Sequence, residues 1–255
     1  MPTELSMAEH LEGLRTAVVS LVRHAAAAGL DTAVPTCPDW TVRHLVAHQG
    51  MVHRWATAVL RGSEVDADAL EGAGLAAADP LSWLEDGAVD LAAAVHEAPE
   101  DVRTVVFLND APGPRQFWAR RQCHETTMHA VDALAAALGR PPRAEETWID
   151  PVLARDGIDE LLGGFVTRNH SRVRSPDPFR LGVLPDDDAE GWLVEVGWAP
   201  AVTTRLPAGA VTDLDVELRS SSVALYLALW NRAEEVGAAP DVWGRWRLQA
   251  PVRWT

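Results

Sequence analysis

Basic residues are scarce in this sequence, and lysine is absent. Asp and Glu together number 37 against 22 basic residues, all of them arginine, and the formal net charge is −15. A surface with this excess of negative charge repels nucleic acid phosphates and anionic membrane headgroups. We therefore predict that neither nucleic acids nor membranes are partners of this protein.

Cysteines and long apolar runs are also lacking. The two cysteines, Cys37 and Cys123, form no C-x-x-C pair, which argues against a disulfide framework. No apolar run reaches the roughly 20 residues that a membrane span needs, and the charged start MPTELSMAEHLEGLR is unlike a signal peptide. We therefore predict a cytoplasmic protein with both thiols reduced.

What the first part of the chain does have is helical periodicity. Apolar residues recur at helical spacing over residues 6–29, 41–61, 79–95 and 115–138. Gly29, Gly62 and Gly139 follow three of these segments and are plausible helix ends. The stretch VPTCPDW and the Gly/Asp/Ala-rich stretch after Gly62 are predicted to be loops. Four amphipathic helices of this length predict a helical bundle.

The second half changes in character. A fifth helix is predicted over residues 152–167, and beyond Pro176 the segments WLVEVGW, AVTTRL and LDVELR alternate apolar and polar residues as strands do. SSVALYLALWNRAEEV is then typical of an amphipathic helix. We predict a four-helix bundle over residues 1–150, a helix and linker over 151–175, and a small α+β domain over 176–255.

The stretch HETTMH, from His124 to His129, resembles the zinc-protease pattern H-E-x-x-H with one residue too many. His124 and His129 are five apart and diverge by roughly 140° around a helix. Glu125 and His129 are four apart, separated by only about 40°, and share a face. The two residues of this stretch that can bind the same metal ion are therefore Glu125 and His129.

A third ligand is available on the second predicted helix. His48 falls in its apolar stripe and should point into the bundle, where facing helices build cofactor sites. His53 is predicted to lie toward a flank, and His124 to lie on a flank or at the surface. Two imidazoles and a carboxylate with an open position suit a catalytic zinc ion, and nickel or ferrous iron also fits them.

Neighbouring residues complete the predicted site, but a second interpretation stays open. Asp132 follows His129 by three residues and is predicted to orient its ring. Trp40 and Trp55 are predicted to line a pocket near His48. Alternatively, His48 is a hydrogen-bonded core histidine, and Glu125 with His129 is only an i,i+4 pair on a helix surface.

Two segments also carry a family resemblance. TCPDWTVRHLVAHQGMVHRWA and HETTMHAVDAL closely resemble the ligand helices of mycothiol-dependent maleylpyruvate isomerase-like proteins, within the DinB-like metal-binding bundle superfamily. The second half, including LWNR at Leu229–Arg232, is similar to the family's small sterol-carrier-like α+β domain. The resemblance implies that His48, Glu125 and His129 are metal ligands and that Arg232 contacts substrate.

The activity implied by the resemblance is that of a zinc- and mycothiol-dependent enzyme. A metal-activated thiolate would attack an electrophilic small molecule, giving either isomerisation or S-conjugation, the latter as in detoxification. The alternatives are a hydrolase using zinc-bound water and a non-catalytic metal- or small-molecule-binding protein. Either a monomer or a homodimer is compatible with the sequence.

The sequence departs from the family pattern at two places. Isomerase members grip a dicarboxylate with arginines, whereas no arginine lies between Arg61 and Arg103. Maleylpyruvate is therefore not the expected electrophile. His44 stands where the family often has an acidic residue, so we expect the capping box with Thr41 to be lost.

Overall fold

The computed structural model describes residues 4–233, 236–237 and 240–250. The chain divides into two compact units, one from Leu5–Val106 with Pro112–Pro142, and one from Phe107–Ala111 with the described residues from Arg143 onward. Within the described ranges, every helix is too short or too polar to cross a membrane.

The first unit is helical and contains a small two-stranded sheet. Its helices are α1 (Met7–Ala28), α2 (Val42–Arg61), α3 (Ala67–Ala76), α4 (Pro80–Glu97) and α5 (Pro114–Leu138), and its strands are β1 (Ala33–Val34) and β2 (Cys37–Thr41). Helix α1 packs along α5, while α2 packs against α3 and α4. The predicted bundle is therefore confirmed.

The ends of these helices follow from local capping chemistry. At the start of α1, the Ser6 backbone N–H donates to the Glu9 carboxylate at 2.8 Å. At the start of α4, Asp79 accepts from the Ser82 N–H at 3.1 Å. The expected loss of capping at α2 is wrong, because the Thr41 backbone N–H donates to His44 Nδ1 at 3.3 Å. An imidazole nitrogen here replaces the carboxylate oxygen.

Two segments predicted as loops form regular secondary structure instead. In VPTCPDW, β1 and β2 pair antiparallel with Val34 opposite Cys37. In the Gly/Asp/Ala-rich stretch, α3 begins after Asp66, whose carboxylate accepts from the Ala69 N–H at 3.0 Å. Pattern criteria miss α3 because its small residues give weak periodicity.

Helix α5 is buried on every side rather than on one face. All residues from Phe117 to Ala136 are buried. Buried polar groups are costly unless they find partners, so this concentration of polar side chains indicates a functional helix. The buried polar residues on α5 are Arg120, Arg121, Gln122, His124, Glu125, Thr126, Thr127, His129 and Asp132.

The contact between α2, α3 and α4 depends on two glycines. A Cβ added at Gly50 would come within 2.2 Å of the Trp83 ring, and one at Gly74 within 2.6 Å of the same ring. We predict that Gly50→Ala destabilises the protein by about 1–3 kcal/mol through overpacking. Gly72→Ala in α3 is the matched control, because a Cβ there meets nothing within 4 Å. Urea denaturation measures the free energy of unfolding of both variants. If Gly50→Ala is as stable as Gly72→Ala, the close contact between Gly50 and the Trp83 ring is wrong.

The second unit is the small α+β domain. Its helices are α6 (Pro151–Asp159), continued by a π-helical segment (Glu160–Phe165), α7 (Ser222–Leu229) and α8 (Pro240–Gln249). Its strands are β3 (Phe179–Pro185), β4 (Glu190–Val196), β5 (Val202–Pro207) and β6 (Val216–Ser220), in the sheet order β5-β4-β3-β6. Strand β3 pairs antiparallel with β4 and parallel with β6.

The predictions for this unit were correct for three strands and incomplete elsewhere. Strand β3 lacks the alternation used to find strands, because five consecutive residues from Leu181 to Pro185 are buried. Helix α7 ends at Leu229 rather than near residue 236, since Asn231 adopts a left-handed backbone with φ 61°. Of the predicted extension, Glu234 and Glu235 lie outside the described residues.

Candidate metal centre

The structure brings the three predicted ligands together. His48 from α2 and Glu125 and His129 from α5 each offer a ligand atom, and these atoms all lie within 4.8 Å of one another. The Glu125 Oε1 atom is 3.4 Å from His129 Nε2. Side chains 77 positions apart in sequence thus meet at one point inside the helical unit.

Asp132 is hydrogen-bonded to the ring of His129, three residues before it. A carboxylate only accepts, so the 2.9 Å contact between His129 Nδ1 and Asp132 Oδ2 is a hydrogen bond donated by Nδ1–H. With Nδ1 bonded to Asp132, Nε2 is the ring nitrogen on the side of Glu125 and the one that a metal ion would take. The Thr36 hydroxyl donates to Asp132 Oδ1 at 2.6 Å, and the Cys37 thiol lies 3.6 Å from Oδ2. The β1–β2 segment therefore holds the Asp132 carboxylate in place, and Asp132 in turn holds the ring of the candidate ligand His129.

Arg121 is a buried partner of Glu125 that the sequence analysis missed. Its Nη2 donates to Glu125 Oε2 at 2.7 Å, and the arginine side chain is completely buried. The contact occupies Oε2 and leaves Oε1 on the side of His129. The signal was present in the sequence, because Arg121 precedes Glu125 by four residues and so shares its helical face.

The pKa values of His48 and His129 are shifted in opposite directions. Burial, helped by nearby His129, lowers the pKa of His48 to about 4. Burial also opposes protonation of His129, but hydrogen bonds to Asp132 and Glu125 outweigh it and raise its pKa to about 9. Burial disfavours the charged form of Glu125, yet Arg121 and His129 hold its pKa well below the usual range. The metal-free centre thus carries one protonated imidazole at neutral pH.

These shifts predict proton release on metal binding. A metal needs the lone pair of His129, which is protonated below a pKa of about 9, whereas His48 is already neutral above about 4. Zinc binding at neutral pH should release about one proton, and affinity should fall about tenfold for each pH unit lowered between these limits. Calorimetry in buffers of different ionisation enthalpy measures the proton, and a pH-independent affinity would contradict the assignment.

Two predictions about neighbouring histidines are wrong. His53 is fully buried, and its Nε2 lies 2.9 Å from both Gln49 Nε2 and Thr126 Oγ1. His124 is also fully buried, with its ring edge-on to His10 at 6.2 Å. The prediction for His124 failed because α5 is enclosed on all sides, so its flanks are interior too. The prediction for His53 failed because its ring on α2 meets the buried Thr126 of α5.

The two tryptophans predicted near the site have different surroundings. The Trp40 ring centroid lies 4.8 Å from that of His48 and 5.9 Å from that of His129, so it borders the centre. Trp55 packs edge-to-face on the buried Trp118 at 5.2 Å. Its role in a cofactor pocket stays a prediction.

Arg232 lies in the second unit, just after α7. Its Nη1 donates to the Trp230 carbonyl at 2.8 Å, and its backbone N–H donates to the Leu227 carbonyl at 2.7 Å. These contacts hold its backbone and one nitrogen of its guanidinium. Its predicted catalytic role stays a prediction.

The chemistry of the donors fits a divalent metal ion. Two imidazoles and one carboxylate are ligands that zinc takes in catalytic sites, where a further position stays open. The carboxylate on His129 and the arginine on Glu125 hold these donors in place. The fold and these residues define a helical-bundle protein with a candidate metal centre, followed by an α+β domain.

Comparison with known proteins identifies the family. Residues 11–134, which make up most of the helical unit, match the profile of the mycothiol maleylpyruvate isomerase N-terminal domain. The matched residues include all three candidate ligands and Asp132. The family predicted from the two ligand segments is thus confirmed.

Solved structures extend the likeness in fold over the whole chain. The crystal structure of a mycothiol-dependent maleylpyruvate isomerase is 18% identical over 98% of both chains, with a TM-score of 0.60. A histidine-to-alanine mutant of that isomerase gives 18% identity, the same coverage and a TM-score of 0.62. The predicted fold class is therefore confirmed. No curated protein matches the sequence.

Proposed function

We propose that this protein is a zinc- and mycothiol-dependent enzyme that transfers or transiently adds a thiol to an electrophilic small molecule. The observation that carries the proposal is the convergence of His48, Glu125 and His129 inside a bundle of the mycothiol maleylpyruvate isomerase family. The structural relatives of the whole chain are mycothiol-dependent isomerases. Isomerase and S-transferase are two outcomes of the same proposed thiol addition.

When bound, zinc would supply a positive charge that lowers the pKa of a thiol and keeps it as the thiolate nucleophile. The protein's own residues would prepare this chemistry. Asp132 holds His129 in the tautomer that presents Nε2. Arg121 neutralises the charge of Glu125, so the carboxylate does less to offset the charge of the metal. Trp40 provides an apolar wall beside both imidazoles.

The electrophile is proposed to carry a negative charge gripped by Arg232. This part of the proposal is supported by the resemblance at Leu229–Arg232. The absence of arginine between Arg61 and Arg103 argues against maleylpyruvate itself. A smaller or monoanionic electrophile is the better candidate. A location in the cytoplasm, where the thiol pool is reduced, belongs to the same proposal.

The test is incubation of the purified protein with zinc, mycothiol and a panel of electrophiles that includes maleylpyruvate. Mass spectrometry detects thiol adducts, and chromatography detects isomerised products. Turnover that requires both zinc and thiol is the expected result. Turnover with zinc but without thiol would favour hydrolysis, and bound metal without turnover would favour a binding protein.

A further inference from the structure

The second candidate ligand, His48, also has a carboxylate beside its Nδ1 atom. Glu71 Oε1 lies 3.5 Å from His48 Nδ1, and the histidine side chain is only 13% exposed. The arrangement parallels that of Asp132 beside His129 Nδ1. Both imidazoles of the cluster therefore have a carboxylate beside Nδ1, at 3.5 Å for His48 and 2.9 Å for His129.

Glu71 is held at this point by the way α3 packs on α2. One turn after Glu71, a Cβ at Gly74 would lie 3.0 Å from the Ala47 Cα atom, so the two backbones are in close approach. Arg43 on α2 donates to the Leu75 carbonyl at 3.3 Å near the end of α3. Because residues 71, 74 and 75 share a face of α3, these contacts direct Glu71 toward α2 and His48.

We propose that Glu71 is a positioning residue for the metal centre, accepting a hydrogen bond from His48 Nδ1–H and so presenting Nε2 as the ligand. This inference rests on the proposed function only in requiring that the cluster bind zinc. A carboxylate on the second nitrogen of a ligand histidine fixes its tautomer and ring orientation and strengthens the donor. Helix α3, which the sequence pattern did not reveal, thereby becomes part of the site.

The environment of Glu71 sets the expected size of its effect. Its side chain is 37% exposed, whereas that of Asp132 is completely buried. Water screens the charge of Glu71 and competes for the Nδ1–H donor. Replacement of Glu71 should therefore weaken zinc binding about tenfold, at the low end of the range for such carboxylates, and replacement of Asp132 should weaken it more.

The experiment measures zinc affinity by chelator competition in the full-length protein. Glu71→Ala should bind zinc about tenfold more weakly than wild type, and Glu71→Gln, which keeps an acceptor oxygen, should lie between them. Asp68→Ala is the matched control, because it removes the same charge from an exposed position on α3. In the zinc-bound protein, ¹⁵N NMR should show His48 protonated at Nδ1.

Different results would reject the role of Glu71 and the proposed function. Wild-type affinity in Glu71→Ala, or an equal loss in Asp68→Ala, would overturn the role of Glu71 and leave the metal centre standing. A wild-type protein that binds no zinc would overturn both. Thermal unfolding of each metal-free variant checks that a lost affinity does not reflect a lost fold.

Discussion

Replacing His48 with alanine should reduce the zinc content of the purified protein from about one ion per chain to nearly none. His48 is the candidate ligand contributed by α2, whereas Glu125 and His129 both come from α5. Without it, one imidazole and one carboxylate remain, which is fewer than the three protein ligands typical of catalytic zinc. Elemental analysis after dialysis measures the ratio of zinc to protein.

Two other histidines serve as controls for this loss. His44 lies one turn earlier on the same helix and is exposed, so His44→Ala should keep the metal. His124→Ala should also keep it, because that ring faces His10 rather than the cluster. Full zinc content in His48→Ala, or loss of zinc in His44→Ala, would refute the ligand assignment.

Replacing Arg121 with methionine should destabilise the metal-free protein by about 3–5 kcal/mol. The substitution removes the cation from a buried ion pair and leaves the Glu125 carboxylate with less compensation. The pKa of Glu125 should then rise, because burial opposes its ionisation and Arg121 is the foremost opposing influence. Urea denaturation with chelator present measures the loss of stability.

A second substitution separates the charge effect from lost packing. In the Arg121→Met/Glu125→Gln double variant position 125 no longer carries a carboxylate that needs a buried cation, so a substantial part of the lost stability should return. If Arg121→Met costs less than about 1 kcal/mol, or if the double variant is as unstable as the sum of the singles, Arg121 does not neutralise Glu125.

Sequence patterns predicted the helix ends and the three side chains that converge because both depend on local spacing. Thr41, Gly62, Asp79 and Gly139 mark helix boundaries through backbone chemistry that acts within one turn. The i,i+4 relation of Glu125 to His129 and the inward register of His48 likewise follow from helical geometry alone. These features required no knowledge of tertiary contacts.

The rest of the site could not be predicted because it arises from tertiary packing. Glu71 is placed by α3, whose glycines and alanines give no strong periodicity. Thr36 lies in the turn between β1 and β2, and Cys37 is the first residue of β2; both contact Asp132. The prolines of VPTCPDW led to the prediction of a loop in this stretch. His124 was assigned to a flank because a periodic pattern supposes one buried face, whereas α5 is buried throughout. His53 was assigned to a flank of α2, but its ring contacts the buried Thr126 of α5.

X-ray absorption at the zinc edge, with and without mycothiol, tests the central claim most directly. Zinc-loaded wild-type protein should show nitrogen and oxygen neighbours alone, and addition of mycothiol should introduce one sulfur neighbour at about 2.3 Å. Asp132→Asn should show the same change at reduced zinc occupancy. A spectrum that mycothiol leaves unchanged, in protein carrying about one zinc per chain, would contradict a thiol-using metal centre.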